Sequence, residues 1–393
     1  MTVRPLVAVR LAPGPAWIAA VERVWAGGGA VLPLPWHATV NEVSDAVDRF
    51  CASHLIDGGG EVPLDCGAPV LEGTAVVLST SGSTGAPKGV ELSHAALECS
   101  ARASLERLGV TDGDRWLCCL PLHHVAGLQV LTRSRLMGVD AEILNRFDVA
   151  AVASHRDVTH IALVPTMLRR LLDAGVDLSH LRCILLGGAP PGPGLLEAAR
   201  LRGLRVVTTY GMTETSGGCV YDGVPLDGVE VALDDDGRIR LRGPTLFSGY
   251  RRSRALTEAL LHDGWLLTED VGRWTADGRL EVVGRADDMI ITGGENVPAG
   301  WVATVLEEHP DVVEASIVGA PDREWGQRVV AVVVTGDRAP ALEELRDFVG
   351  ARASRIAAPR ELLVVPALPH LDNGKVDRVA VARLVADAAT DAA

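Results

Sequence analysis

The sequence predicts an α/β protein with a large N-terminal domain of mainly parallel sheets and a small β subdomain, followed by a mobile α+β C-terminal domain. Three observations predict this fold. Short apolar runs alternate with helical patterns up to about residue 220, alternating apolar and polar residues follow from about residue 221, and a new strand–helix pattern begins after residue 288. Strands that alternate with helices are typical of βαβ units and parallel sheets.

The apolar runs of the first part have the length of buried strands, and helical patterns such as ALECSARASLERLGV and TMLRRLLDAGVD separate them. The runs are TAVVLST, RWLCCLP, VTHIALVP, RCILLGG and RVVTTYG. Ligands of parallel sheets bind at the carboxyl ends of the strands. The segments SGSTG, GGAP and GMTET stand at such ends, and they indicate where a site would form.

The second part begins with GVEVALDDDGRIRLRG, in which a D-D-G turn joins two alternating runs and predicts an antiparallel unit. The last part contains the helix PAGWVATVLEEH, a helix from about residue 341, and the strands EASIVGAP, RVVAVVVTG and ELLVVPAL. We therefore expect an N-terminal domain over residues 1–286 and a C-terminal domain over residues 287–393, with the boundary near Asp287.

The net charge of −14 excludes a general nucleic-acid-binding protein and gives no reason to expect binding to anionic membranes. No apolar run reaches the ~18 residues of a membrane-spanning helix, and arginine and proline interrupt what would be the core of a signal peptide. The seven cysteines lack C-x-x-C spacing, as expected of reduced thiols in a cytoplasmic protein. The sequence leaves the oligomeric state open, a homo-oligomer included.

The segment STSGSTGAPKGVELSH, residues 79–94, has the composition of a phosphate-binding loop, because glycines and hydroxyl groups present donors closely to phosphate oxygens. A Walker A loop is excluded because Gly89 follows the lysine, whereas a flexible turn stays an alternative. Lysine occurs only at Lys88 and Lys375, and arginine makes up the rest of the Lys+Arg total of 37. Lysine is therefore expected where a compact point charge is needed, or at two ordinary surface positions.

Four motifs in order resemble those of the adenylate-forming superfamily, which includes acyl-CoA synthetases, luciferases and adenylation domains of peptide synthetases. They are TSGSTGAPKG, YGMTET at 210–215, GRADDMIITGGENV at 284–297 and NGKVDR at 373–378. The resemblance extends from about residue 70 to the C-terminus. It implies that a carboxylate reacts with ATP and Mg²⁺ to give an acyl-adenylate and pyrophosphate, and that the acyl group then passes to a thiol such as that of coenzyme A.

The resemblance also implies how the nucleotide is held. Thr213 would contact the α-phosphate, Glu214 would hold Mg²⁺, and Tyr210 would lie beside adenine; a surface role for Glu214 and core packing for Tyr210 are the alternatives. Asp270 would accept hydrogen bonds from the ribose, and Arg285 would reach the ribose or form an interdomain salt bridge. The implied ATP-binding residues are Thr80, Ser81, Gly82, Ser83, Thr84, Gly85, Lys88, Gly188, Ala189, Tyr210, Gly211, Thr213, Asp270 and Arg285.

Lys375 would swing in from the C-terminal domain to bridge the carboxylate and the α-phosphate, where a guanidinium is too broad. Asp287 matches the hinge of this domain movement. Gly293 and Gly294 would line the channel for the thiol arm, or form an ordinary turn. The catalytic residues that the resemblance implies are Lys375, Lys88, Thr213 and His124.

The stretch LPLHHVAGLQVLTRS, residues 120–134, most resembles the compact forms of the o-succinylbenzoate–CoA ligase family of menaquinone biosynthesis. His124 falls beside the acyl site, whereas His123 receives no role; satisfied core histidines are the alternative. Arg133 is a candidate donor to the carboxylate that is not activated, or a helix-surface arginine. The implied acyl-pocket residues are His124, Arg133, Gly188 and Gly211.

The leading hypothesis is thus a ligase that converts o-succinylbenzoate, ATP and coenzyme A into o-succinylbenzoyl-CoA, AMP and pyrophosphate. Another aryl or fatty acid, a carrier-protein thiol in place of coenzyme A, and a non-catalytic nucleotide-binding protein remain alternatives. The last is disfavoured because nucleotide binding alone would not require Lys375. The phosphate loop begins earlier than in most members of the superfamily, so nothing is implied about the N-terminal wall of the acyl pocket.

Overall fold

The computed structural model describes residues 4–80, 87–370 and 376–391. In these residues the strands are β1 (Leu6–Val9), β2 (Ala30–Pro33), β3 (His54–Asp57), β4 (Gly60–Pro63), β5 (Thr74–Thr80), β6 (Lys88–Ser93), β7 (Trp116–Cys118), β8 (Glu142–Ile143), β9 (His160–Leu163), β10 (Cys183–Leu186), β11 (Val206–Met212), β12 (Gly217–Tyr221), β13 (Val224–Pro225), β14 (Glu230–Leu233), β15 (Arg238–Arg242), β16 (Gly249–Tyr250), β17 (Leu261–His262), β18 (Trp265–Trp274), β19 (Leu280–Arg285), β20 (Met289–Thr292), β21 (Glu295–Pro298), β22 (Val312–Asp322), β23 (Gly326–Thr335) and β24 (Glu361–Val364).

The helices of the same residues are α1 (Pro15–Ala26), α2 (Val40–Phe50), α3 (His94–Leu108), α4 (Val125–Leu136), α5 (Val149–Ser154), α6 (Pro165–Asp173), α7 (Pro193–Leu201), α8 (Arg254–Leu260), α9 (Ala299–Leu306), α10 (Leu342–Arg352) and α11 (Arg378–Asp391). Two 3₁₀ turns, Thr213–Thr215 and Ala286–Asp288, lie between strands. None of these helices is both long and apolar enough to cross a membrane.

Two seven-stranded sheets form the body of the molecule, in the orders β16-β6-β5-β2-β1-β3-β4 and β13-β12-β11-β10-β9-β7-β8. The neighbours from β5 to β3 and from β11 to β8 are parallel, whereas antiparallel pairs complete the edges. The α/β class is confirmed, with more antiparallel pairing than the sequence predicted. The pair β5 and β6 accounts for part of the difference, because these successive strands are antiparallel.

The predicted β subdomain is a separate five-stranded sheet, β14-β15-β18-β17 with β19 beside β18. Its D-D-G turn closes the hairpin of β14 and β15, where Leu233 pairs with Ile239. The Asp234 carboxylate accepts hydrogen bonds from the N–H groups of Asp236 and Arg238, at 3.0 and 2.8 Å, and Gly237 has a positive φ of 77°. A side chain that satisfies turn donors and a glycine with positive φ are what such a turn requires.

The last sheet, β21-β20-β23-β22 with β24 beside β23, packs against α9, α10 and α11. Its buried side chains form clusters of their own, which run from Ile290 to Ala358 and from Ala320 to Val385. We call residues from 289 onward the small domain and the preceding part of the chain the large domain. Asp287 lies in the 3₁₀ turn between β19 and β20, and its role as the hinge stays a prediction.

A buried ion pair ties the first sheet together. Arg251, directly after β16, donates to Glu91 of β6 at 3.0 Å, and only 3% and 8% of the two side chains are exposed. The same guanidinium donates to the carbonyl oxygens of Phe50 at 2.8 Å and Ala68 at 2.6 Å. Removing one partner of a buried pair leaves an uncompensated charge, which is costly. The side chain therefore fixes the connection after α2 against the edge of the sheet.

Replacing Arg251 with methionine is expected to lower the free energy of unfolding of the large domain by about 3–5 kcal/mol, because the Glu91 carboxylate and several carbonyl groups lose their buried donor. Urea titration followed by circular dichroism measures the change. Arg254→Met is the matched control, because this exposed arginine makes one i,i+4 pair with Glu258. We call these contacts of Arg251 the Arg251 clamp. An equal loss of unfolding free energy in the two variants would contradict a stabilising role for it.

Candidate active site

The segment that follows β11 is shaped by a backbone contact. A β-bulge lies between Tyr210 and Gly211, and a Cβ atom on Gly211 would overlap the carbonyl oxygen of Gly217 on β12. Only glycine can bring the two strands this close. The chain then enters the 3₁₀ turn Thr213–Thr215, and the Thr215 hydroxyl accepts from the N–H of Met212 at 2.9 Å. The bulge and the turn set the direction of the polar side chains from 210 to 214.

Lys88 and Glu214, for which the resemblance implies binding of ATP and of Mg²⁺, meet at Tyr250. The Lys88 Nζ lies 5.6 Å from the centre of the Tyr250 ring, and the Tyr250 hydroxyl donates to Glu214 Oε1 at 2.8 Å. Burial and the charge of Glu214 raise the pKa of Tyr250, so its phenol stays protonated and acts as the donor. The structure thus joins these residues through a tyrosine.

Tyr250 was missed in the sequence, where it falls in the β-rich part with no motif around it. A usable signal was scarcity, because the chain has only three tyrosines. Each hydroxyl has a defined partner in the structure: Tyr210 donates to Asp270, Tyr221 to Ser104 and Tyr250 to Glu214. Scarcity, which drew attention to the two lysines, would have drawn attention to these three tyrosines as well.

A second group of polar side chains, Tyr210, Asp270 and Arg285, lies on the other side of the β-bulge after Tyr210. The Tyr210 hydroxyl donates to Asp270 Oδ2 at 2.8 Å, and Asp270 pairs across β18 and β19 with Arg285, whose guanidinium lies 3.8 Å from Oδ1. Burial raises the pKa of Asp270, although the hydrogen bond from Tyr210 and the charge of Arg285 oppose the rise. Arg285 also forms two 2.8 Å bonds to Asp287, and these hold the pKa of Asp287 below its usual value.

The GGAP turn lies beside the same strand. Gly188 has a positive φ of 87°, and a Cβ atom on Gly187 would come within 2.5 Å of the Thr209 hydroxyl oxygen, next to Tyr210. Ala189 is exposed in the turn between β10 and α7. The close contact of Gly187 with Thr209 puts the turn against β11, as a pocket between adjacent strand ends requires.

The two histidines of LPLHHV lie at the start of α4, where His124 is the N-cap residue. Their ring centres are 4.5 Å apart. Burial, together with the nearby His124 and His37, lowers the pKa of His123 to about 4, so the His123 imidazole is neutral at pH 7. His37 follows β2 and was missed in the sequence, because no motif linked the start of the chain to this site.

Arg133 does not lie where either sequence-based reading put it. Only 4% of it is exposed, its guanidinium stacks 4.4 Å from the Trp116 ring, and one of its nitrogens lies 3.5 Å from the Ser104 hydroxyl. The residue is part of the core between α3, α4 and β7, so it is neither a helix-surface arginine nor presented to a ligand. Burial lowers the pKa of this guanidinium. The apolar neighbours on α4 could have indicated this burial.

Of the remaining site residues assigned from the sequence, some lie within the described residues and others do not. Thr80 ends β5 and its hydroxyl lies 3.4 Å from the Lys88 carbonyl oxygen. Gly293 and Gly294 form the two-residue turn of the β20–β21 hairpin with φ of 59° and 84°, and a Cβ atom on Gly293 would come within 2.8 Å of the Trp325 ring. The assignments that lie outside the described residues are Ser81, Gly82, Ser83, Thr84, Gly85 and Lys375.

Comparison with known proteins identifies what this arrangement is similar to. A family model described as AMP-binding enzyme matches residues 60–251, and one described as AMP-binding enzyme C-terminal domain matches residues 302–375. The chain is 42% identical over 337 residues to the probable 2-succinylbenzoate–CoA ligase of Mycobacterium tuberculosis, which covers 81% of this chain and 87% of that protein.

The fold is similar to that of o-succinylbenzoate CoA synthetase from Bacillus subtilis, at 30% identity. Its complex with the acyl-adenylate intermediate superposes with a TM-score of 0.86 over 95% of this chain and 87% of that one. Its complex with ATP and magnesium ion gives 0.85 over 95% and 88%. A double mutant of the same protein, bound with its product analogue OSB-NCoA, gives 0.67 over 96% and 88%.

The raised pKa of Asp270 predicts how the folding stability of the large domain depends on pH. Ionised Asp270 is less stable in the folded chain than in the unfolded one, so this penalty is fully present above the folded pKa and disappears below the unfolded pKa. Asp270→Asn should therefore raise the Tm of the large domain at pH 7, with roughly 2–4 °C for each kcal/mol of relieved penalty. The gain should shrink as the pH falls through the raised pKa.

Calorimetry from about pH 4, near the ordinary pKa of aspartate, to about pH 8 measures the effect. Asp277→Asn is the matched control in the turn between β18 and β19, because hydrogen bonds from the Thr275 hydroxyl and Arg279 hold the pKa of that exposed carboxyl below its usual value. The control should give no gain in Tm at any pH. A loss of stability in Asp270→Asn at pH 7 would show that the pairing with Tyr210 and Arg285 outweighs burial.

Proposed function

The chain belongs to the family of AMP-binding enzymes, and we propose that it joins o-succinylbenzoate to coenzyme A through an acyl-adenylate. It is an acid–thiol ligase: ATP is consumed, and pyrophosphate, AMP and o-succinylbenzoyl-CoA are the products. The identity to the Mycobacterium tuberculosis ligase over most of both chains supports this acid and this thiol. The relative from Bacillus subtilis that was solved with the acyl-adenylate, and with ATP and magnesium ion, supports the order of the two steps.

The observation that carries the proposal is the short segment from Tyr210 to Glu214, which has a polar group at each end. At one end Tyr210 and Arg285 surround the Asp270 carboxylate, which would accept hydrogen bonds from the ribose. At the other end Lys88 and Glu214 lie around Tyr250 and would face the phosphates. One nucleotide that spans the bulge would reach both groups.

The chemistry of Glu214 fits magnesium. One carboxylate oxygen, Oε1, is held by the Tyr250 hydroxyl, and a carboxylate has two oxygens, so the other can ligate a hard cation. Mg²⁺ usually keeps several waters and binds proteins through one or two carboxylates together with substrate phosphates. When bound here, it would neutralise charge on the phosphate oxygens. Tyr250 would fix the direction of the Glu214 carboxylate.

The two steps follow from these positions. In the first, an oxygen of the substrate carboxylate attacks the α-phosphorus and pyrophosphate leaves, while Lys88, Thr213 and Lys375 stabilise the negative charge. In the second, the thiol sulfur of coenzyme A attacks the acyl carbon, the bond to the phosphate oxygen breaks, AMP leaves, and the thiol proton passes to solvent. Lys375 acts in the first step, and Gly293 and Gly294 leave room for the thiol arm in the second.

The acyl group would lie beside His124 at the start of α4, next to the neutral His123. A neutral imidazole has one N–H donor, and His123 would donate it to the carboxylate that is not activated. This arrangement replaces Arg133, whose burial in the core does not support a role in the acyl pocket. The seven cysteines are free thiols, which supports work in the cytoplasm, where the substrates would be met by a monomer or a homo-oligomer.

The proposal is tested by measuring pyrophosphate release from ATP with o-succinylbenzoate, with and without coenzyme A, and by detecting the thioester by mass. Release with this acid and a thioester that depends on coenzyme A are the expected results. Turnover with a different carboxylate alone would overturn the substrate but keep the chemistry. Binding of ATP without release with any acid would favour a nucleotide-binding protein.

Glu214→Gln is expected to reduce pyrophosphate release about 100-fold, because the loss of one charged group aimed at the phosphates has an effect of this order. Part of the loss should be recovered at higher Mg²⁺ concentration, since the amide ligates the ion more weakly. Glu197→Gln is the control, because Glu197 pairs with Arg200 on the surface of α7. A Glu214→Gln rate that is normal at every Mg²⁺ concentration would remove Glu214 from the metal site.

A further inference from the structure

Helix α7 of the large domain begins without a capping side chain of its own. Gly192 is its N-cap residue and Pro193 follows, so no side chain of the preceding loop accepts a hydrogen bond from the first turn. The first N–H groups of a helix have no partner within the helix and usually bind a Ser, Thr, Asp or Asn side chain at the N-cap. In α7 the partner comes from elsewhere in the chain.

Glu308 of the small domain supplies the missing acceptor. Its Oε1 accepts a hydrogen bond from the N–H of Gly194 at 2.9 Å, which is the second residue of α7 and a position that an N-cap side chain ordinarily serves. The carboxylate also lies at the positive end of the helix dipole. Glu308 is therefore an N-cap that acts across the domain boundary.

The loop leaves room for this carboxylate. A Cβ atom on Gly192 would overlap the Glu308 carboxylate, with 2.9 Å to its Cδ atom, and one on Gly194 would lie 3.3 Å from both oxygens. Gly192 has φ of −64° and ψ of 149°, which any residue can adopt, so glycine is required here by the contact and not by the backbone. Because they lack side chains, Gly192 and Gly194 thus leave space for the Glu308 carboxylate of the small domain.

The adjoining residue strengthens the same contact. Burial raises the pKa of Glu307, and Arg169 of α6 in the large domain partly opposes this rise, so the two side chains lie within electrostatic reach of each other. Glu307 also accepts from the N–H of Ala315 at 3.3 Å, which keeps it in place within the small domain. The segment that follows α9 therefore contacts the start of α7 and lies within electrostatic reach of α6.

This contact can exist only in one arrangement of the domains, because α7 and α9 belong to different ones. The chain superposes on the acyl-adenylate complex of the Bacillus subtilis relative with a TM-score of 0.86 and on the product-analogue complex with 0.67. The two structures of the relative therefore differ in how well they match this one over nearly the same share of the chain. This chain, in which Glu308 contacts α7, therefore matches the acyl-adenylate complex better than the product-analogue complex.

We propose that Glu308 is a positioning residue that latches the small domain to the large one in the arrangement seen here, by capping α7 from across the domain boundary. This inference rests on the proposed two-step function. The latch favours formation of the acyl-adenylate and must open before the thiol attacks. Its strength therefore sets the balance between the two half-reactions, although Glu308 touches neither substrate.

The test uses the full chain and three variants. Glu308→Ala removes the cap, Glu308→Gln keeps a weaker acceptor without charge, and Glu343→Ala is the control on the exposed face of α10 in the same domain. Each half-reaction is measured separately, as pyrophosphate release without coenzyme A and as thioester formation from supplied acyl-adenylate. For Glu308→Ala the ratio of the second rate to the first should rise about fivefold, the effect of a typical N-cap, and Glu308→Gln should lie between wild type and Ala.

Gly192→Ser separates the latch from the stability of α7. Serine at this position can cap the helix locally, while its Cβ atom excludes the Glu308 carboxylate. Gly192→Ser should therefore change the ratio of half-reactions in the same direction as Glu308→Ala, although one variant caps α7 and the other leaves it uncapped. Equal loss of both half-reactions in Glu308→Ala, or an unchanged ratio in Gly192→Ser, would overturn the proposal.

A readout without substrates keeps the two proposals apart. Hydrogen exchange of the amide of Gly194 should be about fivefold faster in Glu308→Ala than in wild type and unchanged in Glu343→Ala. Faster exchange together with no reaction of o-succinylbenzoate would keep the latch and reject the function. Normal reaction with unchanged exchange would reject the latch and keep the function.

Discussion

The site depends on one steric constraint, the contact between Gly211 and the backbone of Gly217. Because no side chain fits there, β11 and β12 approach closely and the chain must bulge before it turns. The bulge directs Tyr210 toward the β18–β19 hairpin of the third sheet and Glu214 toward β16 at the edge of the first. Three sheets thus meet around five residues, and the polar groups are positioned by backbone geometry that side-chain motion cannot easily disturb.

The fold class was predictable because it rests on local patterns. Buried parallel strands have short apolar sequences, and the D-D-G turn predicts its hairpin. Both features can therefore be predicted without knowing which distant residues they contact. The edges of the sheets were not predictable in this way. Strand β16 has two residues, Gly249 and Tyr250, and it pairs with β6 although about 160 residues separate Arg251 from Glu91. Such short strands form only because a partner strand is present. A two-residue segment has no apolar pattern of its own from which a strand could be predicted.

Sequence motifs found side chains that the structure places in contact networks, as for Lys88, Glu214 and Asp270, whereas sequence reasoning failed where a position depends on burial. Arg133 shows why, because nothing in a single helical pattern distinguishes an arginine that stacks on Trp116 from one that faces a ligand. His37 and Tyr250 join the site through long-range packing and carry no motif. Residues predicted for the nucleotide end therefore lie near one another, and their roles stay predictions, whereas the acyl end could not be assembled from the sequence because apolar pockets are built from contacts and not from signatures.

The Arg251 clamp also bears on how the chain is made. The guanidinium binds the Phe50 carbonyl across 201 residues, and β16 covers the edge of β6 only when residue 250 has been synthesised. At ribosomal rates of about 5–20 residues per second, the 160 residues from Glu91 to Arg251 take about 8–32 s, and β6 waits this long for the closure. Until then β6 is an exposed edge and Glu91 an unpaired acid. The growing chain thus passes through a stage at which a chaperone is of most use, long before the small domain exists.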